Sequence, residues 1–117
     1  MIPDRRIPER RKHPRFTARI PVEVHADGNE TPIRCATSDI SAGGCYIESM
    51  YPFPVGTCLE LKLQISDTLL ILGKVVTCHP QVGNGIEFIK ILPEDRATLS
   101  DFLNSVAHQE YAESTRQ

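Results

Sequence analysis

Arg11 and Arg15 bracket the segment Arg11-Lys12-His13-Pro14-Arg15, and Asp39, Ser41, Gly43 and Gly44 lie within Asp39-Ile40-Ser41-Ala42-Gly43-Gly44. The first is an R-x-x-x-R pattern, with Arg10 beside it as a third guanidinium; the second is D-x-S-x-x-G. A guanidinium is planar, permanently charged and forked, so it grips phosphate at two points. The same fork matches the O6 and N7 acceptors of guanine, and its flat face stacks on bases. An ionised aspartate only accepts hydrogen bonds. Asp39 therefore suits the adjacent N1–H and N2–H donors of a guanine edge, which no phosphate presents. Ser41 can donate to a phosphate or accept from a base. Gly43 and Gly44 are expected to allow a tight turn with positive φ and to let a ligand touch backbone. Each pattern alone describes many solvated basic segments or Asx turns. Together they describe a pocket for something anionic that also carries a donor-rich base.

The charge distribution supports this. The net charge is −2, but residues 1–19 carry seven basic residues against two acids, while the remainder carries six against thirteen. A basic arm on an acidic body points to an anion met by the arm. The body would repel a long polyanion, so a nucleic acid is not expected as partner, and no tryptophan is present to make a base-stacking platform.

The elements that must position these residues follow from periodicity. Residues 1–14 read as an arm, because Pro3, Pro8 and Pro14 bar a helix and apolar content is low. From Phe16 to Val24 apolar residues alternate as in a half-buried strand, with Pro21 marking an edge or bulge. Asp27-Gly28 turns. Further strands are expected over 33–38, 45–48, 57–65, 69–78 (with a bulge at Gly73) and 85–91. Pro93, Glu94 and Asp95 then suit a helix start, and Leu99, Phe102, Leu103 and Val106 form one stripe. This predicts a helix of about four turns, with a frayed tail after roughly Tyr111. The reading is all-β with a C-terminal helix: six short antiparallel strands forming a small barrel or sandwich, with one amphipathic helix packed on it.

At 117 residues the chain is one domain with one modest core. No apolar run approaches the ~18 to 20 residues of a membrane span, and the N-terminus has no apolar signal-like stretch. Cys35, Cys45, Cys58 and Cys78 show no C-x-x-C pattern and are expected to be reduced and mostly buried. A cytoplasmic location is the corresponding expectation. His13, His25, His79 and His108 are scattered, and no histidine stands at a telling distance from Ser41, so neither a hydrolytic triad nor a metal site is expected.

On residues 9–16 (Glu-Arg-Arg-Lys-His-Pro-Arg-Phe) and 38–44 (Ser-Asp-Ile-Ser-Ala-Gly-Gly), the chain resembles the PilZ domain, a bacterial receptor module for cyclic di-GMP. Weaker support comes from the Pro54-Val55-Gly56 loop, Gly85-Ile86-Glu87-Phe88 and the final helix. The resemblance spans roughly residues 9–107, leaving 1–8 as a flexible basic extension and 108–117 as helix end and tail. It implies a six-stranded antiparallel β-barrel with a C-terminal helix, and a binding module rather than an enzyme, with no cofactor. It implies that Arg11 and Arg15 grip guanine and phosphate, that Asp39 and Ser41 read guanine and the adjoining phosphate, and that Gly44 is the required glycine, with Gly43 beside it. Arg10 would fall where ligand stoichiometry varies among relatives. The expected mechanism is nucleotide ordering the arm and thereby changing a surface read by an unidentified downstream protein. A stand-alone module is expected. The alternatives are an adaptor acting through protein contacts without nucleotide and, more remotely, a nucleic-acid-binding barrel.

Overall fold

The computed structural model describes residues 13–115, with side chains as far as residue 109. Seven strands precede one helix: β1 (Phe16–Thr17), β2 (Pro21–Ala26), β3 (Ile33–Ile40), β4 (Gly44–Glu48), β5 (Cys58–Gln64), β6 (Thr68–His79), β7 (Gly83–Ile91) and α1 (Pro93–Thr115). Six of them close a barrel in the order β3-β2-β5-β6-β7-β4, with β3 pairing back onto β4. All pairings are antiparallel, and the short β1 is added along β3. Closure removes the free edges that a sheet of this size would otherwise expose.

The core is what the alternation foretold. Val22, Val24, Leu59, Leu61, Leu63, Leu69, Ile71 and Val75 point inward, with Ile40, Cys45, Ile47 and Ile86 completing the interior. Leu99 and Leu103 of α1 are buried in the same cluster, and Phe102 packs against it. The helix begins at Pro93, where a missing N–H does no harm, and Glu94 and Asp95 occupy its first turn. Asp95 also accepts from the Leu70 amide at 3.3 Å, tying the helix start to β6.

Four expectations need correction. The single strand over 16–24 is two, because the ladder is interrupted between Thr17 and Pro21. Across that gap the Thr37 hydroxyl accepts from the Ile20 amide (3.0 Å) and donates to the Ala18 carbonyl (2.6 Å), so a fully buried side chain supplements the two backbone bonds that remain, Ala18 amide to Ser38 carbonyl and Thr37 amide to Ile20 carbonyl. The helix spans 23 residues, about six turns rather than four, since no Gly or Pro stops it after the apolar stripe ends at Val106. Of the four free cysteines only Cys45 is buried; Cys35 and Cys78 are half-buried and Cys58 is exposed. Gly43 and Gly44 are not the left-handed glycines. Positive φ occurs instead at Gly28 (86°) and Gly56 (96°), in the turns after β2 and before β5.

Bulges interrupt the barrel at three places. Between β6 and β7 the register passes from Leu72↔Lys90 to Gly73↔Phe88, so the extra residue opposite Gly73 is Ile89 on β7. Further along, Val75↔Ile86 is followed by Thr77↔Gly85, leaving Val76 as the extra residue on β6. On β3, Thr37↔Ile47 is followed by Asp39↔Tyr46, which leaves out Ser38.

Candidate functional site

The bulge at Ser38 decides where Asp39 points. In an unbroken strand side chains alternate, so Thr37 and Asp39 would share a face. Thr37 is completely buried, and a strict period would carry the aspartate into the barrel, an environment that strongly penalises an unpaired charge. The extra residue shifts the phase by one. Ile40 is then the next residue that is fully buried, while Asp39 keeps a side-chain exposure of 32%. A bulge re-aims side chains in this way, at the expense of one ladder position.

β1 delivers the partner. Phe16 pairs with Ile40 and Thr17 with Asp39, and Phe16 packs partly against the core. The residue before β1, Arg15, is thereby held over Asp39, and its Nη1 donates to Asp39 Oδ1 at 2.6 Å. The two residues that the sequence placed 24 positions apart are in direct contact. Both side chains are about one-third exposed. A pair this accessible to solvent contributes only about 0–1 kcal/mol, so its geometry is positioned more than it is locked. The guanidinium retains further N–H donors and the carboxylate retains its second oxygen, which leaves hydrogen-bonding capacity on both groups.

The turn from Ser41 to Gly43 joins β3 to β4 and is clamped. The Ser41 amide donates to the Gly44 carbonyl at 2.8 Å, and the Gly43 carbonyl accepts from the Phe88 amide at 2.8 Å. The Ser41 hydroxyl accepts from the Gly43 amide (3.1 Å) and donates to the Gly44 carbonyl (3.3 Å). Ser41 is 5% exposed, so its hydroxyl shapes the turn from within. Gly44 is required by close approach: a Cβ there would collide with the Ile86 carbonyl oxygen on the paired strand β7. At Gly43 a Cβ would lie 2.6 Å from His13 Cδ2, so the imidazole covers the face of the turn.

These pieces border an open cleft of about 360 Å³, lined by His13, Arg15, Ser41, Gly43 and Gly44, with Val76, Ile86 and Glu87 on the far side. Val76 is the bulge residue of β6 and is 47% exposed. Behind the turn, burial pushes the Cys45 thiol up to about 12, with the Asp39 charge adding to the effect. That thiol stays protonated at neutral pH.

The structure brings together Arg15, Asp39, Ser41, Gly43 and Gly44 as the spacing suggested, whereas Arg10 and Arg11 lie outside the described residues. Sequence reasoning missed Thr37, His13 as a wall of the cleft, and Asn84. The last is 3% exposed; its side-chain amide donates to the Phe53 and Thr77 carbonyls, and its Oδ1 accepts from the Phe53 amide, clamping the loop before β5. No local signal marks an asparagine in a turn-like stretch as a buried clamp. Among the described residues no group of three or more His, Cys, Asp or Glu is gathered to hold a metal ion, and no helix is long and apolar enough to cross a membrane.

Comparison with known proteins agrees with this architecture. The barrel resembles the Bacillus subtilis inhibitor of motility MotI/DgrA (TM-score 0.73, 18% identity, 87% of this chain and 52% of that one), so this chain spans about half of MotI. It resembles the PilZ domain of CeSA from a cellulose-synthesizing bacterium (TM-score 0.60, 21% identity, covering 82% and 97%). It also resembles the PilZ domain of Escherichia coli YcgR, solved with c-di-GMP (TM-score 0.67, 12% identity, covering 92% and 99%). No curated protein sequence matches the chain. At these identities the solved structures speak to fold alone. The PilZ domain model, however, matches residues 9–105, the whole barrel and the first part of α1, and by that match the chain belongs to the PilZ domain family.

Proposed function

We propose that the chain is a receptor for cyclic di-GMP, bound in the cleft between Arg15 and the Ser41–Gly44 turn. The observation that carries this reading is the contact of Asp39 with Arg15, a residue that lines the cleft, which juxtaposes a forked cation with an acceptor-only anion. A ligand that satisfies both must offer acceptors and paired donors together. A guanine nucleotide does so, with phosphate and O6/N7 for the arginine and N1–H/N2–H for the aspartate. The YcgR PilZ domain, of the same fold, was solved with c-di-GMP. Arg10 and Arg11 would add further guanidinium contacts. Ser41 acts chiefly by holding the turn, and the missing side chains of Gly43 and Gly44 let the ligand approach backbone. The chain binds and relays; the relay is the nucleotide drawing the N-terminal segment onto the barrel, so that a partner protein reads the altered surface.

Titration calorimetry with cyclic di-GMP tests this. The wild-type chain should bind with an affinity on the order of micromolar. Arg15→Ala and Asp39→Ala should each weaken binding by roughly a hundredfold, because each leaves ligand groups desolvated without a partner. Circular dichroism should show both variants folded. Undiminished binding in Arg15→Ala or Asp39→Ala overturns the site, and absence of binding to the wild-type chain overturns the receptor reading.

A further inference from the structure

The cleft is lined by a carboxylate of its own, besides the Asp39 that Arg15 holds beside it. Glu87, on β7, borders it opposite Arg15 and His13 and is exposed. Its backbone is fixed by pairing with Gly44 on one side and Lys74 on the other. Gly44 contributes no side chain, so nothing from that position stands between Glu87 and the turn. Among the described residues Glu87 takes part in no salt bridge, whereas one oxygen of Asp39 is engaged by Arg15. Lys74 is its cross-strand neighbour on the same face.

A carboxylate on one wall of a cleft that takes an anion has two consequences. It repels phosphate, so the phosphates must lie toward the Arg15 side. It accepts hydrogen bonds and donates none, so the ligand group it meets must be a donor. A guanine edge supplies two adjacent donors, N1–H and N2–H. An adenine edge puts an acceptor nitrogen at that place, and hypoxanthine keeps N1–H but lacks the N2 amine. Cyclic di-GMP has two guanines; Glu87 lines the cleft and Asp39 stands beside it on Arg15, one carboxylate for each.

We propose that Glu87 is a specificity-determining residue of this site, its carboxylate taking the N1–H and N2–H donors of a guanine and holding the phosphates to the Arg15 side. The proposal rests on the receptor reading above. It sets the orientation of the ligand across the cleft and assigns a base-reading role outside the two polar motifs.

The test compares cyclic di-GMP with its di-inosine analogue, which differs by the absent N2 amines, on the full chain and on Glu87→Gln and Glu87→Ala. Calorimetry should show the wild type favouring the guanine ligand. Both variants should bind cyclic di-GMP about tenfold more weakly, the worth of one charge-assisted hydrogen bond. The preference for guanine over inosine should shrink several-fold, because part of it came from Glu87. A merely structural role would weaken both ligands equally and leave the preference unchanged; a merely repulsive charge would tighten both on removal. Either result overturns the assignment while leaving the receptor reading intact. Failure of the wild-type chain to bind cyclic di-GMP overturns the receptor reading and this assignment with it.

Discussion

The wall of the cleft formed by Ser41 to Gly44 and the wall formed by His13 to Thr17 are built differently. The first is held by backbone bonds to β7, an internal bond network of the Ser41 hydroxyl, and a glycine pressed against the Ile86 carbonyl. The second rests on a two-residue strand, a half-buried Phe16 and one solvent-accessible ion pair. Rigid backbone gives a ligand a fixed surface of approach. A lightly held side can exchange its own contacts for ligand contacts at little energetic cost, since the ion pair it gives up was worth little. The difference teaches where substitutions will register: in stability on one wall, in affinity on the other.

Gly44→Ala should break the rigid wall and have the largest effect. The clash is with backbone in a paired strand, so β4 and β7 must separate locally. A loss of about 3 kcal/mol or more is expected, in the range of severe overpacking, read as a lower urea midpoint with unchanged slope. Stability equal to wild type would show that the glycine is not needed by close approach.

Gly43→Ala sharpens the comparison from the position between the walls. The obstacle there is the far end of a flexible histidine, which can swing away. Stability should stay within about 1 kcal/mol of wild type, helped by a less free unfolded chain. Cyclic di-GMP affinity should still fall, because the displaced imidazole and added methyl narrow the cleft. A stability loss as large as that of Gly44→Ala would abolish the distinction between the two glycines.

At neutral pH the smallest expected effect concerns Cys45, immediately behind the rigid wall, whose contribution emerges only in alkali. Its thiol titrates at about 12 when folded against an ordinary 9.0, owing to burial first and the Asp39 charge second. A raised value means that the folded state holds its proton more tightly. The stabilisation is complete below about pH 9, where the unfolded thiol is also protonated. Stability then declines as pH rises toward 12, because only the unfolded chain releases the proton. Thermal melts of Cys45→Ala between about pH 8 and 11 should fall less steeply than wild type. Cys35 and Tyr46 are also shifted upward, chiefly by burial, so part of the alkaline decline should persist. Parallel slopes would argue that Cys45 is not the group responsible.

Much of the molecule was legible in the chain alone. Strict alternation over Leu59 to Ile65 and over β6 specified inward faces, because the pleat has period two. Asp27-Gly28 announced a turn, and Pro93-Glu94-Asp95 with the stripe from Leu99 announced a helix on its correct face. Arg15, Ser41, Gly43 and Gly44 of the cleft stood out in the chain because guanidinium, hydroxyl and glycine have narrow chemical uses, whereas His13 and Glu87, which also line it, did not. What the chain did not reveal is non-local. The outward aim of Asp39 depends on an unpaired Ser38, which exists only relative to β4. The need for Gly44 comes from a carbonyl 42 positions away, not from its own φ. Thr37 looked like an ordinary strand residue until the gap between β1 and β2 gave its hydroxyl two backbone partners. Periodicity and residue chemistry are properties of neighbours along the chain, so sequence determined the barrel and the helix and singled out the residues of the two polar motifs. Register, bulge and close approach are properties of neighbours across it, and only the tertiary structure could decide them.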